Sequence, residues 1–130
     1  MSDYLVDTNI LIHVLAGDLP AGARASVERI ISAGFSVSVI THIEFLGWRG
    51  HTPEGYEAAR MLVECARQHL LTGPVADRGI SLRRSCGISL ADAVIAATAI
   101  ESDSILVTRN VRDFRGIDEL QVFNPFGETG

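Results

Sequence analysis

Apolar residues along the chain form short unbroken runs that alternate with longer stretches of helical spacing. Tyr4, Leu5 and Val6 form one such run, so residues 3–7 are predicted to be a buried strand. Residues 35–40 alternate and are rich in valine, which predicts a second strand. Further short strands are predicted at residues 70–72, 104–108 and 120–123.

Between these runs, apolar residues repeat with the period of an α-helix. The predicted helices cover residues 10–14, 22–33, 41–48, 53–66, 75–86 and 89–101. Thr52 and Pro53 make a good helix start, as the N-cap and the first helical residue, whereas Gly79 weakens the helix that contains it. Strands that alternate with helices imply an α/β fold in which a parallel sheet is covered on both faces.

Length and composition are those of one globular domain. The chain has 130 residues, of which 47% are hydrophobic and 21% charged. We expect a single domain over residues 1–126 and a C-terminal tail over residues 127–130. No apolar stretch reaches the roughly 20 residues of a membrane helix, and the first residues lack the basic region of a signal peptide. We therefore expect a cytoplasmic protein with no membrane contact.

The charge balance excludes several classes of site. All eleven basic residues are arginines. The absence of lysine excludes a P-loop lysine, a Schiff base, and the lysine that receiver domains and many haloacid-dehalogenase-type phosphatases place beside their aspartates. The net charge of -5 argues against a nucleic-acid partner. That argument weakens if several of the acids form a metal site.

Acidic and amide residues stand where predicted strands end or helices begin. Asp7 follows the first strand, Glu44 lies just past the second, and Asp92 lies at the start of the alanine-rich helix. Asn110 and Asp113 follow the strand at 104–108. Right-handed crossovers bring the helix starts of a parallel sheet to one edge, where ligands bind. We therefore expect these side chains to cluster.

Helix capping explains each acid taken singly. Thr41 with Glu44 and Ser89 with Asp92 match the capping box, and Asp7 fits a plain N-cap. Capping does not require the acids to follow strands of one sheet, whereas a hard divalent cation uses clustered oxygen ligands. Helix N-termini also favour ionised carboxylates, so we expect charged acids that are ready for metal at neutral pH.

Four segments, taken in order, resemble the motifs of a known family. They are V-D-T-N-I-L near the start, I-T-x-x-E-F-L at 40–46, S-L-A-D-A-V-I-A-A-T-A at 89–99 and L-V-T-R-N-V-R-D-F at 106–114. These segments resemble the four motifs of the PIN-domain ribonucleases, and the compact length and motif order are most similar to the VapC toxins of type II toxin–antitoxin pairs. The resemblance implies a three-layer α/β/α sandwich with a central parallel sheet, and Mg²⁺- or Mn²⁺-dependent hydrolysis of RNA.

The resemblance also implies roles for single residues. Asp7, Glu44 and Asp92 match the acidic triad of the family, as catalytic residues and metal ligands. Asn110 stands where many relatives have an aspartate that completes the site, and its carbonyl oxygen can still bind a metal or a metal-bound water. Asp113 is a nearby acid that could take over this role, so both assignments stay open.

Polar residues beside the acids are candidates for holding the site and the substrate. Thr8 and Asn9 resemble the polar pair that orients the first aspartate of the family, and Thr108 could form a hydrogen bond in the same pocket. Arg109 and Arg112, followed by Arg115, crowd the fourth motif and could hold phosphates. A solvated loop explains these arginines equally well.

The resemblance implies an RNA substrate, a cognate antitoxin and a homodimer. In relatives, the antitoxin lays a segment across the groove with an arginine aimed at the acids. The apolar faces of residues 22–33 and 54–69 are expected to exceed what the sheet can bury, which favours a dimer. Two alternatives remain. A phosphotransfer or phosphatase domain is opposed by the missing lysine and the absent D-x-D, whereas a catalytically weakened binding module is compatible with Asn110.

Overall fold

The computed structural model describes residues 3–127, so most of the predicted tail at 127–130 lies outside the described residues. The strands are β1 (Asp3–Val6), β2 (Ser36–Ser38), β3 (Arg67–His69), β4 (Ser104–Val107) and β5 (Gln121–Phe123). The helices are α1 (Thr8–Ala16), α2 (Ala21–Ala33), α3 (Val39–Leu46), α4 (Pro53–Glu64), α5 (Gly73–Cys86) and α6 (Leu90–Glu101). A short 3-10 turn, Val111–Phe114, precedes β5.

The five strands form one sheet in the order β3-β2-β1-β4-β5, and each neighbouring pair is parallel. In the central pair, Val6 at the end of β1 lies beside Val107 at the end of β4. The next residues, Asp7 and Thr108, are therefore brought to the same edge of the sheet. The backbone N–H of Asp7 donates to the carbonyl of Val107 at 3.0 Å, which fixes the two chain segments together.

Helices cover both faces of the sheet, as predicted. Side chains alternate along a strand, so Val6 and Val107 pack in one cluster with α1 to α4, whereas Leu5 and Leu106 pack in a second cluster with α5 and α6. Burying each of these side chains contributes about 1.5–3 kcal/mol. The three-layer α/β/α sandwich with a central parallel sheet is thus confirmed.

The predicted helix starts at residues 52–53 and 89 are correct. The Thr52 hydroxyl accepts a hydrogen bond from the Gly55 N–H at 3.0 Å, and Pro53 is the first residue of α4. The Ser89 hydroxyl accepts from the Asp92 N–H at 3.1 Å. Local side-chain chemistry therefore determined where these two helices begin.

The boundary between β2 and α3 differs from the prediction. The strand predicted at 35–40 covers only Ser36–Ser38, and α3 begins at Val39. Ser38 is the N-cap, because its hydroxyl accepts from the Thr41 N–H at 3.1 Å. The capping box predicted for Thr41 and Glu44 is therefore wrong, and both residues lie within the helix.

The strand predicted at 70–72 is also wrong. β3 is Arg67–His69, an edge strand that pairs only with β2. Leu70 is 66% exposed, and Thr72 caps α5 by accepting from the Val75 N–H at 3.4 Å. An edge strand needs few apolar side chains, which explains why hydrophobicity pointed to the wrong segment.

Surplus apolar surface is expected on residues 22–33 and 54–69, and the structure shows it on the second stretch but not on the first. The expectation is wrong for α2, where Val27 and Ile30 are buried in the core. On α4, Tyr56 and Met61 remain exposed.

Within residues 3–127 no single helix is long and apolar enough to span a membrane, and the one helix pair that qualifies jointly, α1 with α2, is bent by 111°.

Candidate active site

Asp7 occupies the junction between β1 and α1. Its carboxylate accepts a hydrogen bond from the Thr8 N–H at 2.8 Å, which caps α1. The other carboxylate oxygen accepts from the Thr108 hydroxyl at 2.7 Å. Asp7 is only 6% exposed. The plain N-cap interpretation is therefore correct, yet it does not explain why a carboxylate is buried beside the end of β4.

Burial raises the pKa of the Asp7 carboxyl above its usual value, and the charges of Asp92 and Glu44 act in the same direction. Hydrogen bonds from Thr108 and Thr8 oppose this shift without reversing it. The direction is opposite to the effect of a helix N-terminus alone. The raised pKa also indicates that the three acids lie close enough to repel one another.

Glu44 projects from α3 toward the start of α1. Its carboxylate accepts a hydrogen bond from the Thr8 hydroxyl at 2.8 Å. The Thr8 side chain therefore contacts Glu44, whereas only the Thr8 backbone contacts Asp7. The sequence pattern had linked Thr8 to the first aspartate, and the structure adds a second acid to its contacts. Glu44 itself is exposed and accessible to a ligand.

Asp92 lies in the first turn of α6. Burial raises the pKa of its carboxyl, the Ser89 hydroxyl opposes the shift, and the charges of Asp113 and Glu44 raise the pKa further. The Asp92 carboxyl is therefore within electrostatic reach of both Glu44 and Asp113. The structure brings Asp7, Glu44, Asp92 and Asp113 to one edge of the sheet, as the strand-end positions predicted.

The fourth motif forms the remaining wall of the site. Thr108 is fully buried, and its hydroxyl oxygen accepts from the Asn110 N–H at 3.0 Å. Asn110 is exposed, and its side chain does not cap the 3-10 turn that follows. Asp113 lies inside that turn and influences Asp92 electrostatically. Asp113 is therefore the candidate for a fourth negative charge at the site, whereas Asn110 carries none.

The three arginines of the fourth motif have different surroundings. The Arg109 guanidinium lies over the ring of Phe126, 4.2 Å from its centroid, which is a cation–π contact. Arg112 lies in the 3-10 turn and Arg115 follows it, and both are exposed. Positive charge therefore borders the acidic edge, at a position where a phosphate backbone could pass.

The donor chemistry of the site fits a hard divalent ion, although the acids do not form a closed cage. Within residues 3–127, no three His, Cys, Asp or Glu side chains converge closely enough to hold a metal ion directly. Mg²⁺ keeps several waters and needs only one or two carboxylates. In the same part of the chain, the Asn9 Oδ1 is buried without a hydrogen-bond partner. A polar ligand or water would satisfy this acceptor.

Two polar residues at the site were not identified from the sequence. Ser38 and Thr41 are buried, and the Thr41 hydroxyl lies 3.2 Å from that of Thr8. Their spacing was the available signal, because Ser38, Thr41 and Glu44 are three residues apart in turn and fall on one helical face. The capping-box interpretation of Thr41 hid this arrangement.

A family comparison identifies the class of this protein. The model of the PIN domain matches residues 4–120. The chain therefore belongs to the PIN-domain family, as the four motifs indicated. PIN-domain toxins are generally nucleases, and nucleases of this family typically use divalent metals. A search of curated protein sequences found no significant match.

Solved structures with the same fold come from toxin–antitoxin systems. A chain of a toxin–antitoxin complex from Klebsiella pneumoniae is 30% identical, with a TM-score of 0.76 over 95% of this chain and 98% of that one. DNA-bound VapBC from Salmonella typhimurium has a TM-score of 0.82 at 20% identity, over 96% and 99%. FitAcB from Neisseria gonorrhoeae has a TM-score of 0.78 at 23% identity, over 96% and 99%. At these lower identities the last two show the fold alone.

The buried carboxyl predicts a pH-dependent stability difference in metal-free protein. Because the pKa of Asp7 is raised in the folded state, wild-type stability increases as the pH falls through that pKa. At pH 7.5 we expect Asp7→Asn to raise the unfolding midpoint by roughly 3–6 °C, equivalent to about 1 kcal/mol. The advantage should shrink as the pH falls, since the wild-type carboxyl then becomes neutral too. Thermal unfolding in chelator measures both effects, and a midpoint difference that grows on acidification would contradict them.

Proposed function

We propose that this protein is a divalent-metal-dependent endoribonuclease and the toxin of a toxin–antitoxin pair. The observation that carries the proposal is that Asp7, Glu44 and Asp92 lie within electrostatic reach of one another at one sheet edge of a PIN-domain protein. Asp113 would supply the fourth charge. The choice of RNA over DNA rests on resemblance, because the acids alone do not distinguish the two polymers. We infer that the activity is cytoplasmic.

The chain's own residues would organise a metal and a phosphodiester as follows. One or two of the carboxylates of Asp7, Glu44 and Asp92 would bind Mg²⁺ or Mn²⁺ directly, and the remainder would act through its waters. The ion, when bound, would acidify a water and neutralise charge on the phosphate. Thr108 fixes the Asp7 carboxylate, and Thr8 fixes that of Glu44. These contacts reduce the reorganisation needed when a substrate binds.

The substrate chain would be held from the other side by positive charge. Arg109 and Arg112 border the acids through the fourth motif and would pair with phosphates next to the cleaved bond. Attack of a water on phosphorus, with cleavage of the bond to the 3′-oxygen, would leave a 5′-phosphate and a 3′-hydroxyl that takes up a proton, with no role for the RNA 2′-hydroxyl. End-group analysis of the products therefore tests the reaction class directly.

Neutralising one acid should remove cleavage without unfolding the protein. We expect Asp92→Asn to lower the rate of Mg²⁺-dependent RNA cleavage by more than about a hundredfold, since even residues that only support metal ligands are worth 10–100-fold. The matched control is Asp77→Asn on α5. Asp77 is exposed and adjoins Arg78, which pairs with Glu101 at the opposite end of α6 from Asp92. Wild-type cleavage of a mixed RNA pool by Asp92→Asn would end the hypothesis.

A metal titration separates Asp113 from Asn110 as the fourth ligand. If Asp113 acts on the metal, Asp113→Ala should weaken Mn²⁺ binding in calorimetry by roughly tenfold or more. If Asn110 is the ligand position, Asn110→Asp should tighten it through the added charge. The proximity of Asp113 to Asp92 favours the first outcome. Unchanged binding in both variants would mean that neither residue ligates the ion.

An apolar groove beside the acids supports a protein partner. The groove is a cavity of about 250 Å³ between α1, α3 and the start of α4, with Ile12, Leu15, Phe45, Trp48 and His51 among its lining residues. Ile12 lies one helical turn after Thr8, and Trp48 lies four residues after Glu44. A segment bound in this groove would thus extend toward the acids. We infer that the cognate antitoxin binds here, with a basic side chain directed at the carboxylates.

Exposed apolar residues next to the acids support a homodimer. Ile43 precedes Glu44 and is 61% exposed, and Leu90 lies two residues before Asp92 and is 64% exposed. Exposed apolar surface beside a functional site is a candidate for a subunit interface. We infer that two copies pair through the helices flanking the active-site edge.

Co-expression with the protein encoded next to this gene tests the partner. We expect a complex that blocks cleavage, and we expect Trp48→Glu to weaken it at least about thirtyfold, the loss for an interface hot spot. Ile80→Glu on α5 is the control, since Ile80 is also exposed but on the opposite side of the sheet.

The dimer is tested by light scattering of the protein alone, which should give twice the chain mass of 14.0 kDa. A monomer that forms no complex would remove the toxin role and leave the nuclease.

A further inference from the structure

Three hydroxyl groups form a continuous line from the protein interior to Glu44. The Ser38 and Thr41 hydroxyl oxygens lie 3.4 Å apart, and those of Thr41 and Thr8 lie 3.2 Å apart. The Thr8 hydroxyl oxygen is in turn 2.8 Å from the Glu44 Oε1. The line joins the end of β2, the inner face of α3 and the first residue of α1. It ends on one of the acids proposed to hold the metal.

The Thr41 hydroxyl oxygen is the acceptor at the centre of this line. The Thr8 hydroxyl and the Ser38 hydroxyl are both oriented to donate to it. The Thr8 hydroxyl also donates to the Glu44 carboxylate, which is its shorter contact, so Thr8 shares its one proton between Thr41 and Glu44. The Thr41 oxygen therefore holds the Thr8 hydroxyl in the orientation that reaches the carboxylate.

Burial differs sharply between the two ends of the line. Ser38 is 1% exposed and Thr41 is 0% exposed, whereas Glu44 is exposed. An exposed glutamate loses rotamer freedom only if something holds it. The buried hydroxyls sit in a closely packed interior and provide that anchor, because Thr8 cannot rotate away without breaking its contact to Thr41.

We propose that Thr41 is a positioning residue that fixes the Glu44 carboxylate through the Thr8 hydroxyl. Its buried side chain cannot touch a substrate, so its effect must pass through Thr8. This proposal rests on the proposed nuclease function for its kinetic consequence. The order that it imposes on Thr8 is independent of any activity.

Removing the Thr41 hydroxyl should reduce turnover and leave substrate binding intact. We expect Thr41→Val to lower kcat for an RNA oligonucleotide about tenfold, the loss for one hydrogen bond that supports a charged group. The KM should stay near the wild-type value, because the arginines that bind phosphates are untouched. Because a smaller folded fraction would also lower the apparent kcat at constant KM, kcat is calculated on the concentration of folded protein.

Two sets of controls separate the hydroxyl from the methyl group and from general destabilisation. Thr41→Ser keeps the hydroxyl and should retain most of the wild-type kcat, whereas Thr41→Ala should not. If Thr41→Val does not fold, this pair decides the question. Thr98→Val removes another buried hydroxyl, which donates to the Val94 carbonyl of its own helix at 2.6 Å, and should leave kcat unchanged.

The order of Thr8 is measured without any substrate or metal. NMR relaxation of the Thr8 side-chain methyl group should show a lower order parameter in Thr41→Val than in the wild type and in Thr98→Val. Wild-type protein that cleaves no RNA would end the nuclease proposal, and the Thr8 order parameter would still decide this one. An unchanged order parameter together with an unchanged kcat would overturn it.

Discussion

The buried hydrogen bond from the Thr108 hydroxyl to the Asp7 carboxylate is the contact on which the active-site edge depends. It spans 2.7 Å between residues that follow two adjacent central strands. A buried carboxylate is costly unless polar partners satisfy it. The position of the Asp7 carboxylate is therefore set by its two donors, the Thr108 hydroxyl and the Thr8 N–H. Because the same carboxylate caps α1, the direction of that helix and the location of the Thr8 hydroxyl follow from this one contact.

Most of the fold could be predicted from the sequence because local signals agreed with the tertiary structure. The apolar runs of β1 and β4 are central strands buried on both faces, and Ser89 and Thr52 cap helices through their own side chains. The errors arose where contacts with the rest of the fold, rather than local sequence, decided the secondary structure. The segment after Ser38 is β-branched and reads as strand, yet it is helical because the Ser38 hydroxyl caps α3. The edge strand β3 is polar and gave no hydrophobic signal.

The acids of the site were predictable for a topological reason, and their environment was not. In a parallel sheet the strand ends and the starts of the helices that lead back to the sheet meet at one edge, so Asp7, Glu44 and Asp92 could be grouped from the sequence. The raised pKa values of the Asp7 and Asp92 carboxyls depend on how deeply each is buried, which no spacing rule contains. The role of Thr41 depends on the approach of α1 to α3, a contact between residues 33 positions apart. Capping is compatible with the proposed role of Asp7, since the carboxylate that caps α1 also lies at the acidic edge of the sheet.

The shortness of the two outermost strands limits how this protein can be recognised. β3 and β5 have three residues each and form the two edges of the sheet. Such edges offer few free backbone groups, so a partner gains little by adding a strand to the sheet. Recognition must therefore use side-chain shape and charge on helices, which single substitutions alter readily. Copies of this fold that differ on those helices would therefore bind different partners.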